Sequence, residues 1–161
     1  MPNADEAAIE KAVATYRRRY KEEGMFDSAL YPAVATTLEE LKIAGYTMFI
    51  GTSKSVVFAK PLMEHFGLDH YFTGIYGAEL DGKYDDKNIL LSHIIAQEGI
   101  PKLESVMIGD RRYDIEAAKV NGIRSIGVLY GYGSREELEA TGADLIIENF
   151  DELMQVITHY R

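Results

Sequence analysis

Five polar residues stand where this sequence could do chemistry: Thr52, Ser53, Lys87, Asp110 and Asp114. The last two frame the stretch Met107-Ile108-Gly109-Asp110-Arg111-Arg112-Tyr113-Asp114. The apolar run Ser105 to Ile108 reads as a buried strand, and a helical pattern opens near Arg112. Asp110 therefore falls at the carboxyl end of a strand, with Asp114 one turn into the next helix. Ligands bind at that edge of open α/β sheets, and two converging carboxylates suit a hard cation such as magnesium. The competing reading is that Asp110 only caps the helix.

Thr52 and Ser53 close a second apolar run and are expected at a helix start. Hydroxyls and free backbone N–H groups there form an anion site, although both residue types also cap helices for structural reasons alone. Lys87 lies near the start of its own helix, against the helix dipole, which an ordinary surface lysine tolerates; Lys83 is a decoy of the same type. Hydroxyls, a lysine and two carboxylates on one sheet edge would hold a phosphate and the cation that neutralises it. That is equipment for phosphoryl transfer, where catalysis is mainly positioning and charge stabilisation. His65, His70, His93 and His159 have no metal-ligand spacing, and His93 reads as a core or boundary residue. Gly131 and Gly133 lack the spacing of a phosphate loop. The tyrosines are scattered and read as packing.

The elements that must position these residues alternate. A helix is expected over 5–23, with the apolar stripe Ile9, Val13, Tyr16 and Tyr20, an Asn3–Glu6 capping box and Gly24 at its end. Pro32 opens a helix over 33–44. A strand over 46–51 leads into a helix reaching Phe66, which Pro61 should kink or divide. A weak strand over 72–76 and a turn at Asp81-Gly82 precede a helix over 86–98, capped by Asp85 or Asp86. A strand over 105–109, a helix over 112–121 and a strand over 125–129 follow. Ser134 and Glu137 form a second capping box for a helix ending at Gly142; a strand over 143–147 and a helix over 149–160 complete the chain. From residue 33 onward this order means a parallel sheet covered by helices on both faces. Residues 1–24 stand outside it.

Length and composition fit one soluble domain of 161 residues. A net charge of −9 argues against a nucleic-acid footprint, and Arg17-Arg18-Arg19 reads as a solvated helix face. The absence of cysteine excludes disulfides, thiol catalysis and thiolate metal sites. No apolar run approaches the ~18 residues of a membrane span, and the polar start is unlike a signal peptide. A cytoplasmic protein is expected.

The motifs together resemble the haloacid dehalogenase superfamily of phosphatases, in its phosphoglycolate phosphatase-like branch. The matching stretches are Phe49 to Lys54, Lys87 at its helix start, Met107 to Asp114, and Gly127 to Leu138. The resemblance covers about 25–158 and implies a Rossmannoid three-layer α/β/α core over 25–161. Residues 1–24 look like the last helix of a helical cap. It further implies that Thr52 hydrogen-bonds the transferring phosphoryl group with Ser53 beside it, and that Lys87 bridges that group and the nucleophile. Asp110 would ligate magnesium, with Asp114 supporting that site directly or through water. The implied activity is magnesium-dependent hydrolysis of a small phosphorylated metabolite through an aspartyl-phosphate.

One family motif is missing: no apolar strand here ends in Asp-x-Asp-Gly-Thr, which supplies the aspartate nucleophile. By resemblance its strand lies mid-sheet, between those ending at Thr52 and Asp110. The expectation is a truncated, inactive chain with an open slot, which a homo-oligomer or domain swap could fill. The alternative is a degenerate, non-catalytic module binding a phosphorylated ligand or a partner.

Overall fold

The structure, a computed structural model, describes residues 5–20 and 24–160. It is an α/β fold of parallel strands with a Rossmannoid arrangement. Helix α1 (Glu6–Arg19) precedes the alternating part. The expected Asn3 cap and the residues leading up to Gly24 lie outside the described residues. The remaining elements are α2 (Val34–Ile43), β1 (Phe49–Ser55), α3 (Val56–His65), β2 (Gly74–Ala78), α4 (Lys87–Glu98), β3 (Val106–Gly109), α5 (Arg112–Asn121), β4 (Arg124–Val128), α6 (Arg135–Thr141), β5 (Leu145–Ile147) and α7 (Leu153–Val156).

The strands form two separate sheets. β1 pairs in parallel with β2, and β3, β4 and β5 form a parallel set in that order. Lys87 spans the two sheets: its Nζ reaches the Gly51 carbonyl in the middle of β1 and Asp114 just past the carboxyl end of β3. Between β1 and β3 lies an apolar cleft of about 1220 Å³, lined by residues of both strands and by Leu90, Leu91, Ile94 and Ile95 of α4.

The core is built on the β3–β5 sheet. On one face Leu41, Ile126, Val128, Ile147, Leu153 and Ile157 are buried together, with Val106 and Ile108 packed against them. On the other, Leu91, Ile95 and Ala117 receive Met107 and Ile123. Side chains of β3 thus alternate between two helical layers, as a strand covered on both faces requires. The outer edge of β3 is different. Leu129 donates to the Ile147 carbonyl, and the β4 registers then turn the amides and carbonyls of Val106 and Ile108 away from β4, into the cleft. Each buried backbone group left without a partner costs about 1–3 kcal/mol.

Several expected boundaries shift. β1 does not stop at Thr52 but runs to Ser55, with a register irregularity between those residues. Thr is enriched in strands as well as at helix starts. Helix α3 continues through Pro61 without dividing. The single final helix is instead a succession of short turns, with 3-10 turns at Phe150–Glu152 and Ile157–Tyr160 flanking α7. In α1 the stripe residues Ile9, Val13 and Tyr16 are exposed, while Tyr20 stacks edge-on against Phe58 of α3.

Urea unfolding should separate core from surface. Ile126→Ala, at a fully buried position, is expected to cost about 2–5 kcal/mol. Ile43→Ala, at a residue 77% exposed, should change stability by no more than about 0.5 kcal/mol.

Candidate active site

Helix α4 places the lysine. Asp86 is its N-cap, accepting from the Asn88 and Ile89 amides at 2.7 and 3.1 Å, which satisfies two of the unpaired donors at the helix start. Lys87 follows as the first helical residue. Its Nζ donates to the Gly51 carbonyl at 2.6 Å and lies 3.0 Å from Asp114 Oδ1. Both side chains of this ion pair are 11% exposed. Lys83, the other lysine of this region, instead pairs with Glu79 at the surface.

Asp114 has a second task. Its Oδ2 accepts from the Arg111 amide at 3.2 Å, so it caps the first turn of α5 from inside the helix. Asp110 does not cap that helix. Its Oδ2 accepts from the Tyr132 amide at 2.7 Å, in the loop after β4. Gly131 and Gly133 permit that approach: a β-carbon at Gly131 would overlap the Asp110 side chain, and one at Gly133 the Asp110 carbonyl oxygen. Gly109 has the same relation to Asp114. From spacing alone, Gly131 and Gly133 are readable only against a phosphate loop, which they do not match. The detectable signal was small residues alternating just after a strand, the mark of close backbone approach.

Thr52 and Ser53 are not at a helix start, contrary to expectation, because β1 continues past them. The N-cap of α3 is Ser55, whose buried Oγ has no hydrogen-bond partner among the described residues. Thr52 Oγ1 accepts from the Lys54 amide at 3.1 Å, which leaves its own hydroxyl proton free to donate. Ser53 is exposed. Lys54 turns toward α1, where its Nζ donates to the Tyr20 hydroxyl and sits 4.7 Å from that ring's centroid.

Glu137 was expected to fold back on Ser134. Ser134 does accept from the Glu137 amide at 3.2 Å, but the Glu137 carboxylate goes to Arg111 Nε at 2.9 Å and the Arg112 amide at 2.8 Å. The Arg112 amide, then the Arg111 guanidinium, hold its carboxyl below the usual range. Helix α6 is thereby fastened to the turn that carries Asp110. Burial, then the Asp110 carboxylate, push the Tyr130 phenol up to about 12.

The donor chemistry here suits magnesium, which takes oxygen ligands and is commonly held by one or two carboxylates plus waters and substrate phosphate. Asp110 and Asp114 supply carboxylates of that kind. Asp114 is already committed to Lys87 and to the Arg111 amide, so Asp110 is the one placed to bind directly. Among the described residues no group of three or more His, Cys, Asp or Glu side chains converges.

A family model for haloacid dehalogenase-like hydrolases matches residues 2–128, and the chain belongs to that family. It is 40% identical over 136 residues to a 5'-nucleotidase of Pseudomonas aeruginosa, covering 84% of this chain and 62% of that protein. It is 33% identical over 138 residues to a phosphoglycolate phosphatase of Vibrio parahaemolyticus, covering 86% and 60%. The chain thus spans about three fifths of the length of these curated relatives. A crystal structure of a predicted phosphatase from Clostridium acetobutylicum superposes with a TM-score of 0.90 at 39% identity, covering 98% of this chain and 73% of that one.

Gly133→Ala should destabilise the fold by about 1–3 kcal/mol through overpacking. Tyr132→Ala should be nearly neutral, since that side chain is 88% exposed and the bond to Asp110 uses the backbone; denaturant melts of the two variants check both. The raised Tyr130 pKa means that the unfolded chain loses its phenol proton first. Stability attributable to Tyr130 is therefore complete below about pH 10 and falls as pH rises toward 12. Tyr130→Phe should flatten that alkaline decline in a pH series of thermal melts.

Proposed function

We propose that this chain supplies the phosphate- and cation-binding part of a magnesium-dependent phosphomonoester hydrolase of the phosphoglycolate phosphatase-like type. The observation that carries the reading is the placement of Lys87, largely shielded from solvent between the Gly51 carbonyl of β1 and Asp114. A phosphoryl group there would meet the Lys87 ammonium and accept from the Thr52 hydroxyl, with Ser53 at the outer rim. Asp110 would hold magnesium, and Asp114 would orient Lys87 and act on the cation through water. Magnesium, when bound, supplies charge neutralisation to the phosphoryl oxygens. The aspartyl-phosphate would form on a carboxylate outside these residues, since none of the strands here ends in the required acidic pair.

The relatives named for hydrolysis of 5'-nucleotides and of phosphoglycolate act on different phosphomonoesters, so small phosphorylated metabolites are the substrate class. In this reading residues 1–24 belong to a helical cap and 25–161 to the core. A cytoplasmic setting fits a chain without cysteine in which no described helix is long and apolar enough to cross a membrane.

A second reading, a module that binds phosphate without hydrolysis, is favoured by one observation. The Lys87 charge is already balanced by Asp114, and no third acid joins the site among the described residues.

Assays of the 161-residue chain with p-nitrophenyl phosphate and magnesium should show no turnover. Inorganic phosphate should still bind, and Lys87→Met should weaken it at least tenfold, about 1.4 kcal/mol. Vigorous turnover abolished by Asp110→Ala would place the nucleophile inside this chain and sink the proposal. Phosphate affinity untouched by Lys87→Met would remove Lys87 from the site.

A further inference from the structure

Building on the phosphoryl site proposed above, we infer that Lys54 and Arg17 form a second anion subsite beside it, which selects small phosphomonoesters carrying a further carboxylate or phosphate on the leaving group. Helix α1 meets the rest of the molecule in an unusual way. Over residues 8–20 only Arg17 and Tyr20 are half-buried; every other residue there, Ile9, Val13 and Tyr16 included, is exposed. Arg17 and Tyr20 are three residues apart and therefore neighbours on one helix face. The helix is thus seated through a guanidinium and a phenol, while its apolar stripe faces outward.

Both contacts lie at the carboxyl ends of the paired strands β1 and β2, where Ser55 stands beside Ala78. Arg17 Nη2 donates to the Leu80 carbonyl at 3.3 Å, just past the end of β2. Lys54 Nζ donates to the Tyr20 hydroxyl and lies over its ring, and Phe58 fixes that ring edge-on at 5.3 Å. The Lys54 amide in turn donates to Thr52 Oγ1 at 3.1 Å. The residue that carries this ammonium therefore also orients the hydroxyl proposed to meet the phosphoryl group. Thr52 and Lys54 are separated by roughly 7 Å of strand, which limits a ligand touching both to a small molecule.

Charge balance separates these two cations from their neighbours. Lys87 pairs with Asp114 at 3.0 Å, Lys83 with Glu79 at 3.4 Å and Arg111 with Glu137 at 2.9 Å. Among the described residues, Lys54 and Arg17 have neutral oxygens and a ring face as partners, and no carboxylate. An ammonium carries three N–H donors and a guanidinium five, so these bonds leave most of the donors open to a ligand. Bonds from such donors to carboxylate or phosphate are stronger than bonds to neutral oxygen. An arriving anion thus gains contacts that the resting site does not supply.

Isothermal titration of the 161-residue chain, without added metal, tests this with three stable phosphonates. Methylphosphonate has one anionic group, phosphonoacetate adds a carboxylate, and methylenediphosphonate adds a second phosphonate. At least one doubly anionic probe should bind at least about tenfold tighter than methylphosphonate, and the tighter of the two identifies the second group. Lys54→Met and Arg17→Met should each remove most of that advantage, with a much smaller effect on methylphosphonate. Lys54→Arg should keep it. Tyr20→Phe, which retains the ring and loses the hydroxyl, should reduce it in part. Lys87→Met should weaken all three probes. Equal binding of the three probes, with Lys87→Met still weakening them, overturns the second subsite. So does an advantage that survives both Lys54→Met and Arg17→Met, or variants that lower only the melting temperature, as residues that merely fasten α1 would. Methylphosphonate binding indifferent to Lys87→Met overturns the phosphoryl site itself, a separate result.

Discussion

The contact on which the arrangement depends is the reach of Lys87 across the cleft. One ammonium group is held by the Gly51 carbonyl of β1 and by Asp114 in α5. A charge taken so far out of water is tolerable only because both partners are in place; removing either partner of such a pair commonly costs about 3–5 kcal/mol. The pair therefore ties β1 to the helix that follows β3. Asp86 makes this possible by capping α4 at the residue before, which sets the helix start and hence the root of the lysine.

Around that bridge the site is assembled largely from backbone. Asp110 is oriented by the amide of Tyr132, Asp114 by that of Arg111, and Thr52 by that of Lys54. Backbone donors demand close approach of chain to side chain, and the glycines at 109, 131 and 133 provide it. The Glu137 carboxylate, turned away from its own helix start, ties α6 into the same turn through Arg111 and Arg112. Substitutions that leave every charged group in place can thus displace the site by disturbing a loop.

Much of the scaffold was legible because its periodicity and punctuation agreed. The strand over Val106–Gly109 and the helix over Arg112–Asn121 fall within a residue of expectation, and Gly99, Gly122 and Gly142 end their helices in the left-handed conformation that glycine favours. That Lys87, Asp110 and Asp114 share one edge is an expectation from strand ends of a parallel sheet lying together; of the three, the structure brings Lys87 and Asp114 into contact. Thr52 and Ser53 fall two to three residues before the true cap, Ser55, since a Thr-Ser pair carries no mark to separate strand from cap. The pairing of Lys87 with Asp114 and the work of Glu137 were not legible. Both depend on which of several possible partners a side chain meets in space, and spacing along the chain does not encode that.

Seen mechanically, a sheet interrupted at its middle is two plates rather than one. β1 and β2 with α3 form the first, β3 to β5 with α5 the second. Helix α4 touches β1, β2 and α5 alike, and so serves as the spar between them. Helix α2 adds a second tie, since Lys42 Nζ donates to the His70 carbonyl and the Tyr71 hydroxyl to Glu39, each at 2.8 Å. The two plates are thus coupled by helices and side chains rather than by a shared hydrogen-bond ladder.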